Sequence, residues 1–117
     1  MPRSIGYFID ERGGNPVKEF IDKLSKKEQA KVFAYLDELK IQGHNLRRPM
    51  SDYLGEGIYE LRPRYNRIFY FFFLRENVVL LHAIRKRTDK IPEGDLDICI
   101  KRRKQVESKG NIEKLDL

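Results

Sequence analysis

The sequence predicts an α+β fold: an N-terminal strand and an αα-hairpin packed on a small twisted, mainly antiparallel sheet, with a C-terminal helix. Three observations carry that prediction. Two capped apolar stripes with helical spacing occupy residues 15–43. From Ile58 the pattern changes to runs of β-branched and aromatic residues broken by short turns. A last stretch, from about Lys90, returns to helical composition.

Ser4–Ile9, with Ile5, Tyr7, Phe8 and Ile9, alternates loosely and predicts a short strand. Glu11-Arg12-Gly13-Gly14 marks a turn. Asn15-Pro16 opens a helix: asparagine accepts from orphan backbone N–H groups, and proline is pre-set for the first helical position. Val17, Phe20, Ile21 and Leu24 give it one apolar stripe. Ser25-Lys26-Lys27-Glu28 is a capping-box pattern that starts a second helix. Its stripe is Val32, Phe33, Leu36 and Leu39, and Gly43 is its natural stop. Gly43–Gly57 is expected to be loop. Ile58–Arg62, Arg67–Arg75 and Val78–Arg85 are expected to form a three-stranded antiparallel meander, turning at Arg64-Tyr65-Asn66 and Glu76-Asn77. The continuous apolar run of the middle strand implies cover on both faces. The final helix runs from about Lys90 to Glu107, burying Ile91, Leu96, Cys99 and Ile100. Residues 1–107 are expected to form one domain, and 108–117 a polar tail that either frays or docks.

The 117 residues suffice for one modest core. The longest apolar run, Ile68–Leu74, is too short for the ~18 residues of a membrane span. The N-terminus lacks the apolar core of a signal peptide, and a cytoplasmic location is expected. A single cysteine, Cys99, excludes an intramolecular disulfide. The net charge is +6, and it is unevenly spread. Residues 58–117 carry 14 Lys/Arg against 9 Asp/Glu, whereas residues 1–57 carry 10 against 9. An anionic partner is therefore expected at the C-terminal half.

Two segments then carry a family resemblance. Gly57-Ile58-Tyr59-Glu60-Leu61-Arg62, followed by Asn66-Arg67-Ile68-Phe69-Tyr70, is similar to the "G-Y-E-L-R … Y-R-hydrophobic-Y" strand pair of the RelE/ParE toxin superfamily. Leu80-Leu81-His82-Ala83-Ile84-Arg85-Lys86-Arg87-Thr88-Asp89-Lys90-Ile91-Pro92 resembles the "L-L-H-x-F-x-K-K-T-x-K-x-P" segment of its phage-derived, HigB-like branch. The similarity spans residues 5–107. It implies a RelE-like fold and the toxin of a bacterial type II toxin–antitoxin pair. Such toxins commonly cleave mRNA on the ribosome and are neutralised by a tightly bound antitoxin, a helix-turn-helix protein in this branch. DNA would be reached only through that antitoxin.

RNA cleavage without a metal requires three things: deprotonation of the 2′-OH, stabilisation of the phosphorane-like transition state, and protonation of the 5′-oxygen. Arginine suits the second task, because its planar guanidinium grips two phosphate oxygens and stays charged. Arg67 and Arg87 match basic positions of the family and are assigned phosphate or transition-state contacts. Lys86 is a further phosphate contact or an acid, and Arg62 completes a basic wall. Lys90, Arg85, Arg64, Tyr65, Arg47 and Arg48 are candidate RNA-binding residues. Glu60 stands where RelE-type relatives carry a lysine; it is either a general base or an ion-pair partner of Arg62 and Arg67. His82 has a pKa suited to acid–base work. Strand alternation, however, puts it opposite Ala83, Arg85 and Arg87, which favours packing unless a bulge intervenes.

Tyr65 and Tyr70 are the expected base-stacking rings, with the phenylalanines in the core. Lys101-Arg102-Arg103-Lys104 surrounds its helix, touching RNA or simply solvated. RelE-type enzymes carry a tyrosine after the last basic cluster; this chain has Ile91-Pro92 there, which leaves the general acid unassigned. No phosphate-binding loop, dinucleotide motif or metal-ligand spacing is present, so no cofactor is implied. Two rivals stand beside the nuclease. One is a non-enzymatic ParE-like toxin that binds DNA gyrase. The other is a degenerate phage relative that only binds its antitoxin or the operator complex.

Overall fold

The computed structural model describes residues 3–75, 77–86 and 92–115. In chain order the elements are β1 (Ser4–Phe8), α1 (Pro16–Asp22), α2 (Lys26–Gln42), a 3-10 turn (Gly43–Asn45), β2 (Ser51–Gly55), β3 (Ile58–Leu61), β4 (Asn66–Phe73), β5 (Asn77–Arg85), α3 (Glu93–Lys109) and β6 (Ile112–Leu115). The expected α+β architecture is present.

Both N-terminal helices begin at the residues that chemistry selects. The Asn15 side chain accepts from the Lys18 N–H at 3.1 Å, with Pro16 at the first helical position. Ser25 Oγ accepts from the Glu28 N–H at 3.1 Å. The box is only half closed, because Glu28 Oε1 instead takes Arg85 Nη1 at 3.0 Å and ties α2 to the sheet. Val32, Leu36 and Leu39 on α2 are fully buried, each contributing roughly 1.5–3 kcal/mol.

The sheet has six strands in the order β2-β3-β4-β5-β1-β6. β2 through β5 form an antiparallel run. β1 then lies parallel to β5, and β6 closes antiparallel on β1. Side-chain alternation builds a core on each face. Ile68 and Tyr70 point to the α1–α2 side with Val17, Ile21 and Leu36. Phe69 and Phe71 point to the α3 side with Phe8, Cys99 and Val106. That is why the middle strand is apolar at every position from Ile68 to Phe73, and it places the phenylalanines in the core as expected.

Three boundaries differ from expectation, and the C-terminal segment takes one of its two expected alternatives. Part of the expected Gly43–Gly57 loop is strand β2. Its five-residue run carries no clean alternation and is held by pairing with β3 across Gly55-Glu56-Gly57. β4 stops at Phe73, because Leu74 and Arg75 both take positive φ (52° and 68°) and make the turn; Asn77 is already strand, opposite Phe73. Helix α3 starts at Glu93 and runs to Lys109, where Gly110 at φ 64° supplies a left-handed cap. Of its expected apolar face, Cys99 is buried and Leu96 and Ile100 are partly so, while Ile91 lies outside the described residues. The C-terminal segment docks: Ile112–Leu115 pairs with β1 from Phe8 back to Ile5. Gly6 permits this approach, since a Cβ there would overlap Ile112 Cγ2 and press on the Glu113 carbonyl oxygen at 3.3 Å.

Candidate functional site

Register decides which charged residues meet. Glu60 on β3 lies opposite Phe69 on β4, so both face the α3 side. Arg67, two residues before Phe69, shares that face and lies opposite Ile84 on β5. Here α3 covers the strands only in part, and a cleft of about 360 Å³ opens. Glu60, Arg62, Lys86, Arg48, Asp52 and Leu96 line it. The Lys86 N–H donates to the Tyr65 carbonyl at 2.7 Å, which fixes the chain as it leaves β5.

Glu60 is the buried centre of this group, with 4% of its side chain exposed. Its Oε1 lies 3.7 Å from Arg62 Nε and 3.9 Å from Arg67 Nε. These are ion-pair distances, longer than a hydrogen bond. Glu60 Oε2 and Arg67 Nε are both buried without a hydrogen-bond partner among the described residues. Arg67 is itself nearly buried. Its Nη1 donates to the Arg64 and Asn66 carbonyls, both at 2.8 Å, which locks the guanidinium to the β3–β4 turn. Burial, and next the positive charge of Arg62, push its pKa down, while Glu60 opposes the shift. The group is thus a carboxylate and two guanidinium groups whose capacity for hydrogen bonds is not filled internally. Such a cluster can hold an oxyanion on its cationic side and accept a proton on its carboxylate.

The other sequence candidates divide. Arg85 lies on the opposite face, paired with Glu28, with its guanidinium 5.8 Å from the centre of the Tyr65 ring. Tyr65 is exposed beside Arg64 at the turn. Arg48 is exposed and pairs with Asp52 at 2.6 Å, holding that carboxyl below its usual range. Arg47 is exposed next to it. Arg87 and Lys90 lie outside the described residues. Tyr70 is not a stacking surface: it is buried, its hydroxyl meets Ser51 Oγ at 2.5 Å, and burial pushes its pKa up to about 12.

A bulge does occur beside His82. Phe69 pairs with His82 but Tyr70 pairs with Leu80, which leaves Leu81 as the extra residue. His82 consequently sits on the Arg67 face, stacked 5.7 Å from Phe69, with Ala83 and Arg85 on the other face. It is nevertheless outside the cleft lining. Its Nε2 contacts Asp95 Oδ1 at 2.7 Å and so joins β5 to α3. Burial lowers its pKa, with the Asp95 bond opposing. Arg102 and Arg103 are also tied back to the protein: Arg102 to the Leu81 carbonyl at 2.8 Å, Arg103 to the Glu56 carbonyl. Lys101 and Lys104 remain exposed. Cys99 is buried, and burial pushes its thiol up to about 12, which disfavours the thiolate.

Asp52, Leu54 and Leu96 line the cleft but were not legible as site residues. The available signal was Ser51-Asp52-Tyr53-Leu54 ahead of Gly55-Glu56-Gly57, an apolar–polar stretch before a glycine hairpin turn. Among the described residues no cluster of three or more His, Cys, Asp or Glu could hold a metal, and no helix is long and apolar enough to cross a membrane.

A comparison with protein families finds a match. The model for the family described as phage derived protein Gp49-like (DUF891) matches residues 19–104, from α1 through most of α3. The chain belongs to that family, which lies within the RelE/ParE-like toxin superfamily. Comparison with curated proteins finds no significant match.

Proposed function

We propose that this chain is the toxin of a type II toxin–antitoxin pair, of the HigB-like branch, and that it cleaves mRNA on the ribosome without a metal. The observation that carries the reading is buried Glu60, with an unfilled oxygen, held between Arg62 and Arg67 at a cleft that Glu60, Arg62 and Lys86 line. In this mechanism Arg62, Arg67 and Lys86 grip the scissile phosphate. Glu60 takes the 2′-OH proton, the 2′-oxygen attacks phosphorus, and the P–O5′ bond breaks to leave a 2′,3′-cyclic phosphate. Lys86, which lines the same cleft, protonates the leaving 5′-oxygen. By the family resemblance Arg87 is a further phosphate contact, and Lys90 and Arg64 are RNA-binding residues. The partner is a helix-turn-helix antitoxin, and the site of action is the cytoplasm.

A second reading, the non-nuclease toxin of the ParE type, is favoured by one feature. Arg67 spends two donors on turn carbonyls and is nearly buried, as a structural arginine would be. Induced expression in bacteria of wild type, Arg62→Ala and Lys86→Ala at matched protein levels, with 5′-end mapping of total mRNA, separates the two. The nuclease predicts new cuts within translated messages, reduced at least ~100-fold in each variant. Growth arrest without new cuts would establish the second reading, and no arrest a relative that only binds its antitoxin.

A further inference from the structure

A second, larger cleft of about 530 Å³ lies across the edge of the sheet from the first. Its walls include His44, Arg47, Tyr53 and Tyr59, and it shares Arg48 and Asp52 with the cleft around Glu60. Register explains how two clefts share a wall. Asp52 pairs with Glu60 and Tyr53 with Tyr59, so successive residues of β2 face opposite sides of the sheet. β2 is the edge strand. Only one strand separates the aromatic side from the Glu60 side.

The rings are held in place before any ligand arrives. Tyr53 lies 4.8 Å from Tyr59, and Tyr59 stacks on buried Tyr70 at 5.4 Å and 17°. His44 stacks on Phe72 at 3.6 Å. The Tyr53 hydroxyl accepts the Gly57 N–H at 3.0 Å, fixing the ring along the hairpin. Even so, 55% of Tyr53 remains exposed. An anchored ring with an open face costs little ordering entropy on binding. Exposed arginines flank it, at Arg47 and Arg48. An aromatic face beside guanidinium groups suits a planar base joined to a phosphate.

Building on the nuclease reading, we propose that this cleft takes one unstacked base of the single-stranded RNA whose phosphate lies in the Glu60 cleft. The strand rounds the β2 edge at Arg48, which exchanges its Asp52 contact for the connecting phosphate. Tyr53 is then a base-binding and specificity residue with no part in bond breaking.

The test is binding of a fluorescent, fully 2′-O-methylated trinucleotide to the purified full chain, beside three versions that each carry one abasic position. Base stacking of about 1–3 kcal/mol corresponds to a loss of roughly 5- to 150-fold in affinity at a single position. Tyr53→Ala and the bulkier Tyr53→Leu are expected to abolish that position's penalty, and Tyr53→Phe to keep it. Arg62→Ala should weaken all four oligonucleotides alike. Flat penalties in wild type, an unchanged pattern in Tyr53→Leu, or no binding of the trinucleotide would overturn the proposal. Binding with the expected pattern but no new cuts in translated messages on induced expression would retain the base site and remove the nuclease. Cleavage with a flat pattern would do the reverse.

Discussion

Replacing Glu60 with glutamine removes one charge and almost no volume, so its effect isolates the electrostatics of the cleft. The carboxylate lies 3.7 Å from Arg62 Nε and 3.9 Å from Arg67 Nε. A unit pair at about 4 Å interacts by ~4 kcal/mol near a protein surface and by ~1 kcal/mol in water. Arg62, with 29% of its side chain exposed, belongs near the lower figure, and Arg67, at 9%, nearer the upper. Part of this is regained as the arginines rehydrate, and Arg67 keeps its bonds to the turn carbonyls. The expected loss is about 2–4 kcal/mol, at the lower end of the roughly 3–5 kcal/mol for breaking a fully buried pair. Urea unfolding at pH 7 measures it as a lower midpoint at unchanged slope. The double variant Glu60→Gln/Arg67→Met should recover much of the loss, because no guanidinium is then left buried beside a neutral amide. Affinity for an uncleavable oligonucleotide should rise, since a negative charge has left the cleft. A stability change below about 0.5 kcal/mol would refute the claim that Glu60 holds the two arginines.

Two further outcomes are expected from elsewhere in the fold. Burial holds the His82 imidazole below its ordinary pKa of 6.5, against the Asp95 bond, with Arg102 as its other charged neighbour. The unfolded chain therefore takes up the proton first as pH falls through 6.5, and stability drops from there down to the folded-state pKa. His82→Gln should flatten the fall in urea midpoint between pH 7 and pH 5; equal slopes would disprove the assignment. Gly6→Ala should cost about 1–3 kcal/mol, because its Cβ overlaps Ile112 and meets the Glu113 backbone. Amide hydrogen exchange should then show lost protection in Ile112–Leu115 while β4 stays protected. Unchanged exchange in β6 would show that the segment accommodates the methyl.

Sequence and structure divide this protein along a physical line. Patterns that act over a few residues were legible: the Asn15 and Ser25 caps, the α2 stripe, the apolar β4 and the Gly43 stop all act through neighbours in the chain. So was the family resemblance, because its motifs are contiguous. The sequence by itself therefore determined the class of fold, the helical hairpin, and the basic character of the strand ends from Arg62 to Lys86.

Tertiary structure alone decided what long-range pairing controls. β6 exists because β1 offers a free edge with Gly6 on it, and β2 because β3 folds back across a glycine hairpin. The Leu81 bulge moved His82 and Ile84 onto the face of Arg67 and left Ala83 and Arg85 on the other. Glu60 and Arg67 became one group only through the register of β3 on β4. Propensity and capping are local free energies written along the chain. Register, burial and the meeting of charges belong to the packed sheet, where a shift of one residue exchanges the two faces.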